Sequence, residues 1–377
     1  MAPLDWGLGH VTRCIPIIKE LINQKCIVVA AVSGVQKTIL YREFPDLTFV
    51  DLPGYDIKYG KNRALTVFQL FVSIPKILIR INREKAWLKR FVHREQPDWV
   101  ISDNRYGLHD PGVLSVFITH QLSIRTPLGA VADRWVQRMN YSFINRFDVC
   151  WVPDLPGKEM GGNEGIDAGG TDGADAGLAG ALSHPEKLPA TPVRYIGCLS
   201  RFGAGLEPAE TVLPFDLLVL LSGPEPQRTV LEKRLLDQLA DYTGKTLLVR
   251  GLPDGEALMA PPQVTVYNHV PAAALEALIR GADQIICRSG YSTVMDLIRL
   301  GKRAIYIPTP GQTEQEYLGD HLASAGWGVC IDQKGFSLSE ALAVARAIKE
   351  MQPIKDIQVG DDWLKQEIQG VLSSLRL

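Results

Sequence analysis

The chain lacks any CxxC pair. Its six cysteines, Cys14, Cys26, Cys150, Cys198, Cys287 and Cys330, lie scattered along 377 residues, which argues against a zinc site and against a disulfide framework. Reduced thiols in a cytoplasmic setting fit that usage best. A long uninterrupted apolar run is missing as well. The most apolar stretch, LTVFQLFVSIPKILIRI (65–81), carries Lys76, Arg80 and a mid-segment Pro75, so it does not read as a membrane span, and the opening residues do not read as a secretory leader. Charge of one sign is also absent: 40 Lys and Arg stand against 42 Asp and Glu, a formal net charge of -2, which leaves no global electrostatic case for nucleic acid. No DxD-like motif falls where a ligand would sit, so no metal site is expected.

What is present is apolar mass and alternation. With 46% hydrophobic and 8% aromatic residues, the chain can bury two cores. Short β-branched runs alternate with helical patterns, first CIVVAAVS, LTFVDL, DWVISD, SVFITHQ and VCWVPD, then DLLVLLSG, KTLLVRG, VTVYNHV, QIICRSG, RAIYIPT and GVCID. Continuous apolar strands separated by helices predict parallel sheets covered on both faces. Two such series predict two doubly wound α/β domains, with ligand at the carboxyl ends of the strands, in the cleft between them. The expected boundaries are an N-terminal domain over 1–199, a linker over 200–214, a C-terminal domain over 215–358 and a last amphipathic helix over 361–377 packing back on the first domain. The acidic, glycine-rich GGNEGIDAGGTDGADAG (161–177) is expected to be a disordered surface insertion.

Three constellations carry chemistry. In DWGLGHVTR (5–13), Gly7 and Gly9 permit positive φ or close backbone approach. Val11, Ile15, Ile18 and Ile22 then mark the apolar face of a helix whose N-terminal amides attract anions. Pro16 suits a first turn, so the regular helix is expected to start nearer residue 13 than 10. Thr12 stands where a dinucleotide fingerprint needs glycine, which weakens a nicotinamide reading. His10 places a titratable imidazole at the cleft floor, unless the loop merely turns strand into helix. Only MAPLD precedes this loop, short of a mean strand of ~5 to 6 residues, so the recorded start is expected to fall several residues late.

The second constellation is CRSGYSTVMDLIRLGKRAIYIPTPGQTEQE (287–316). A strand ends at Arg288, turns through Ser289 and Gly290, and enters a helix carrying Thr293 and Asp296. Asp296 could accept hydrogen bonds from ribose hydroxyls; at capping-box spacing from Thr293 it could equally cap its own helix. Gln312, Glu314, Gln315 and Glu316 follow the next strand with groups suited to sugar hydroxyls, or to a solvated loop. Third, Ser222 and Gly223 end the strand of LLVLLSGPEPQR, where a diphosphate could use the amides of an otherwise ordinary strand-to-helix turn. Asp103 and His120, at the ends of first-half strands, and His269 are further candidates.

GLGH near the start, with RSG followed by STVMD, P and EQE near the end, resembles the GT-B, family 28 glycosyltransferases, which include the bacterial enzyme that adds N-acetylglucosamine to lipid-linked muramoyl-pentapeptide. DWGLGH, ISDNRYGL, FITHQL, LSHP, YIGCLSRF and LLSGPEPQ are similar to an uncharacterised bacterial branch of these transferases. The resemblance implies two Rossmann-like domains facing a cleft. The first-half loop with Gly7, Gly9 and Thr12 would meet the acceptor and the donor diphosphate, and the second half would bind a UDP-sugar. It puts Asp296 where relatives keep a ribose-binding Glu, Gln315 and Glu316 where they keep a sugar-holding pair, Arg288, Ser289 and Gly290 on matching positions, and His10 on the general base. Three departures stand out: Pro224 in place of a phosphate-binding Ser, Asp296 shorter than Glu, and Glu316 in place of Gln.

The function so implied is inverting, metal-independent transfer of a hexose or N-acetylhexosamine from a UDP-sugar, with no cofactor beyond that co-substrate. A UDP-sugar epimerase of the same fold, or a non-catalytic nucleotide-sugar binder, is the alternative. Between residues 68 and 94, Phe68, Phe71, Ile74, Ile77, Leu78, Ile81, Trp87, Leu88 and Phe91 interleave with Lys76, Arg80, Arg83, Lys85, Lys89, Arg90 and Arg94. They read as a pair of helices broken near Pro75 that bury an apolar side, or as a surface resting on anionic lipid at the inner face of the cytoplasmic membrane, where a lipid-linked acceptor would reach His10.

Overall fold

The computed structural model describes residues 1–5, 7–55, 63–126, 129–156, 177–203, 214–351 and 361–375, with the backbone alone at 63–74, 130, 348–351 and 361. Most of the glycine-rich insertion and of the interdomain linker therefore lies outside the described residues.

The first half alternates β1 (Ala2–Pro3), α1 (Leu8–Asn23), β2 (Val29–Val32), α2 (Gly34–Glu43), β3 (Thr48–Asp51), α3 (Arg63–Glu95), β4 (Trp99–Asp103), β5 (Leu114–Ile118), α4 (Ala130–Ile144), β6 (Val149–Val152) and β7 (Val193–Tyr195). Strands β1-β4-β5-β6-β7 form one parallel sheet and β2-β3 a second ribbon. Met1 joins them: its ammonium group donates to the Val29 carbonyl at 2.9 Å, and the Ala31 N–H donates to the Met1 carbonyl at 2.9 Å. The resulting order, 3-2-1-4-5-6-7, is that of a dinucleotide-type doubly wound sheet with one strand added.

The second half repeats the plan with β8 (Phe215–Leu220), α5 (Gln227–Leu239), β9 (Thr246–Val249), β10 (Val264–Tyr267), α6 (Ala272–Gly281), β11 (Ala282–Cys287), α7 (Tyr291–Arg299), β12 (Ala304–Tyr306), α8 (Thr313–Ser324), β13 (Gly328–Cys330) and α9 (Leu338–Met351). Its parallel sheet has the order β10-β9-β8-β11-β12-β13. Each strand expected from its β-branched run is present. The strand that sequence patterning missed, β7, is too short to carry a period, and β1 is the short strand expected in MAPLD before the loop.

Two expectations are corrected. Helix α1 starts at Leu8, with Pro16 in its interior; proline there forfeits one backbone bond, a loss that burial on both sides of the helix offsets. Val11, Cys14, Ile15 and Ile18 pack towards β2 and α2, whereas Ile17 and Leu21 enter a different cluster and Ile22 is exposed. Helix α3 is likewise one helix running through Pro75, not a broken pair.

The cluster holding Ile17 and Leu21 continues through Trp151 and Leu178 into Leu218, Ile285 and Met295 of the second domain. Helix α10 (Asp361–Leu375) returns to it, packing against α1, with Leu364 and Ile368 buried there and Glu367 lying 3.8 Å from Arg194. Since Ile368 is fully buried, Ile368→Ala is expected to cost about 2–5 kcal/mol and to lower the thermal unfolding midpoint. An unchanged midpoint would mean that α10 does not bind the first domain in solution.

Candidate active site

A cleft of ≈ 1680 Å³ opens between the two sheets, lined by the start of α1, by residues after β5 and β8, and by the starts of α7 and α8. Gly7 has φ +80° immediately before α1, a left-handed conformation that favours glycine. Gly9 is closely approached for a different reason. A Cβ there would meet the Ser292 Oγ at 3.0 Å, and that hydroxyl donates to the Gly9 carbonyl at 2.8 Å. The N-termini of α1 and α7, one from each domain, thus converge. Neither has a side-chain cap, so first-turn N–H groups remain for an anionic ligand.

Beneath this junction lies a chain of charged groups. Arg13 donates through Nε to Asp103 Oδ2 at 3.0 Å and through Nη2 to Oδ1 of the same carboxylate. Its Nη2 is also 2.7 Å from His10 Nδ1, and its Nη1 is 3.1 Å from His120 Nδ1. His10 Nδ1 lies 3.1 Å from Asp103 Oδ2. His120 Nε2 reaches Glu314 Oε1 of the other domain at 2.7 Å, and its ring stacks on Tyr291 at 4.2 Å. Burial alone would raise the Asp103 carboxyl, but Arg13 and His10 reverse that and hold it below the usual carboxylate range. Burial lowers the His10 imidazole, and the Arg13 charge lowers it further against the pull of Asp103. The arrangement presents an uncharged imidazole to the cleft, backed by a carboxylate.

On the opposite wall lie Ser222, Gly223, His269, Gly290, Thr293, Asp296, Gln312, Glu314 and Gln315. Asp296 does not cap α7, whose N-cap is Gly290. It accepts from the Ser200 hydroxyl at 2.8 Å and from Arg201 Nε at 2.9 Å. Burial raises its carboxyl, opposed by Arg201.

Residues 252–356 match the glycosyltransferase family 28 C-terminal domain. An uncharacterized glycosyltransferase of Methanosarcina acetivorans is 24% identical over 350 residues, covering 85% of this chain and 80% of that one. The UDP-N-acetylglucosamine--N-acetylmuramyl-(pentapeptide) pyrophosphoryl-undecaprenol N-acetylglucosamine transferase of Haemophilus ducreyi is 31% identical over 169 residues, covering 41% of this chain and 47% of that enzyme. In fold, the glycosyltransferase SnogD from Streptomyces nogalater superposes with a TM-score of 0.58 at 16% identity, covering 99% of this chain and 97% of that one. The chain is a glycosyltransferase of the GT-B fold.

Within this glycosyltransferase, His10, Gly7, Gly9, Thr12 and His120 lie on the first-domain side of the cleft, and Asp103 is wholly buried behind them. Three expected donor contacts are corrected. Arg288 is fully buried, away from the cleft, where it donates to the carbonyls of Gln227, Ile307 and Pro308 at 2.9–3.0 Å. Ser289 donates to the Gln315 carbonyl at 2.6 Å. Glu316 lies outside the cleft lining, and its Oε1 accepts from the Gly311 N–H at 2.9 Å. All three shape the loops from within, because strand-end carbonyls and amides must be satisfied once buried. Sequence reasoning missed Arg13, although a cation at i+3 from His10 amid α1's apolar residues was a signal, since charges are seldom buried unpaired. It also missed Ser292 and Tyr291, which only the domain interface makes meaningful.

Arg288→Ala is expected to lower stability by a few kcal/mol, since each buried acceptor left unsatisfied costs about 1–3 kcal/mol, with UDP affinity unchanged by calorimetry at a temperature where the variant is folded. A tenfold weaker affinity at unchanged stability would return Arg288 to the donor site.

Proposed function

We propose that the protein transfers a hexose or N-acetylhexosamine from a UDP-sugar to a hydroxyl acceptor with inversion, His10 serving as general base. The observation that carries this reading is His10 itself, lining the cleft at the junction of two helix N-termini, with Asp103 on its Nδ1. The acceptor hydroxyl gives its proton to the remaining nitrogen, Nε2, and its oxygen bonds to the anomeric carbon. The bond from that carbon to the diphosphate oxygen breaks, and its electron pair leaves with the nucleotide. Free amides at the start of α7 and in the Ser222–Gly223 turn meet the departing charge. The UDP portion is assigned to the second domain, with Asp296 and Gln315 as the polar contacts for ribose and sugar; Asp296 must share its carboxylate with Arg201.

The acceptor is proposed to be lipid-linked. The Haemophilus ducreyi relative carries pyrophosphoryl-undecaprenol in its name, and apolar side chains stand exposed beside the cleft mouth in this chain: Leu78 and Ile79 on α3, Val131 and Trp135 on α4. Ile77 and Trp135 line the cleft itself. Exposed Lys76, Arg83, Arg134 and Arg138 accompany them, whereas Ile81 and Leu88 face inward. Phe68, Phe71 and Ile74 lie outside the described side chains. Among the described residues no helix is long and apolar enough to cross a membrane, so contact would be peripheral.

His10→Ala is expected to slow UDP release with acceptor by roughly 10² to 10⁴-fold while UDP binding persists. Transfer at the parental rate would place the base elsewhere. In vesicle sedimentation, the protein should bind anionic but not neutral lipid, release at high salt, and bind less as Lys76→Glu with Arg80→Glu. A protein left in the supernatant throughout would point to a soluble acceptor.

A further inference from the structure

We propose that Arg13 is a positioning residue that keeps His10 neutral, so that its cleft-facing nitrogen stays free to take a proton. The inference rests on the assignment of His10 as the base. A guanidinium only donates, and Arg13 directs Nη2 at His10 Nδ1 (2.7 Å) and Nη1 at His120 Nδ1 (3.1 Å). A proton on His120 Nδ1 would set N–H against N–H. For His120 the outcome is determined: Nδ1 accepts from Arg13, and Nε2–H donates to Glu314 at 2.7 Å. For His10, Nδ1 can give its one proton to Asp103 Oδ2 at 3.1 Å while Arg13 Nη2 donates to Asp103 Oδ1, which leaves Nε2 as the free nitrogen, and a second proton on the ring would set a cation beside a buried cation.

Without Arg13, the buried carboxylate of Asp103 would draw a proton onto His10 and hold it as an imidazolium, occupying the nitrogen that must accept from the substrate. With Arg13, Asp103 is already neutralised by two hydrogen bonds. Asp103 can then orient the ring without protonating it. Of the other groups facing this pair, Glu314 is the charged one that acts on both His10 and Arg13, and it lies on the far side of His120. Cys14 on α1, 3.6 Å from Asp103, is held as a thiol by burial; α7 brings only the neutral Ser292 and Tyr291; Glu314 on α8 is engaged by His120. The Met1 ammonium, which acts on Cys14, is bonded to Val29 and lowered by burial to about 6.

The test is a pH titration of ¹⁵N-histidine signals, with His10 assigned by the His10→Ala spectrum, alongside kcat/KM for sugar transfer against pH. In the parent protein His10 should titrate below the ordinary value of about 6.5, and His120 should carry its proton on Nε2. In Arg13→Met the His10 titration should rise by about one unit or more, and the acid limb of kcat/KM should move up with it. Arg13→Lys, which keeps the charge, should return both most of the way. A merely structural Arg13 would lower the rate at every pH and move neither curve, which overturns the proposal. If Arg13→Met does not fold, the parent titration decides, because a His10 that titrates at or above the ordinary value overturns it. A titration that rises in Arg13→Met while the acid limb stays put upholds the hold of Arg13 on His10 and overturns His10 as the base.

Discussion

A carboxylate with no access to water sits at the carboxyl end of β4, and much of the first domain is arranged to satisfy it. Parallel pairing of β1 with β4 sets Pro3 beside Asp103, and the few residues after Pro3 lead straight into α1. The start of that helix therefore lies over the strand end, and Arg13 lies one helical turn beyond His10. An unpaired buried charge is strongly destabilising, so Asp103 requires the guanidinium, and the guanidinium in turn fixes both imidazoles. The pair is wholly enclosed, with Asp103 at 0% and Arg13 at 3% exposure, which makes its geometry insensitive to solvent screening.

The same constraint crosses the cleft. His120, oriented by Arg13, engages Glu314 and stacks on Tyr291, and Ser292 bonds the Gly9 carbonyl. The two walls of the cleft are therefore registered by polar contacts at their junction and by the apolar cluster shared between the domains behind it. Small side chains matter at the junction because two helix ends meet there. Any Cβ at Gly9 would push against Ser292.

On the second-domain side of the cleft the loops are held from within. Arg288 ties the turn after β12 and the first residue of α5 to the end of β11, and Gln315 accepts from the Thr309 N–H. Residues that match family positions can thus divide their roles: some face the ligand, and others build the loop that faces it. The link between Asp296 and Arg201 also joins α7 to the residues that follow the first domain, so a nucleotide contact at Asp296 would be felt where the two domains connect.

The strands and their parallel arrangement were legible in the sequence because continuous β-branched runs between helices bury both faces of a sheet, and that pattern is local. The GLGH loop and the RSG and STVMD segments were legible for the same reason, since glycine turns and helix starts are written in adjacent residues. The short strand β7 was not, because three residues carry no period; the unbroken course of α3 through Pro75 was not, because local propensity opposes it. Which wall each polar residue faces was decided only in three dimensions. Arg288 satisfies carbonyls from Gln227 to Pro308, and Arg13 meets a carboxylate 90 residues away. A buried charge takes whatever partner the packed chain brings within a few ångströms, and sequence spacing does not specify that distance.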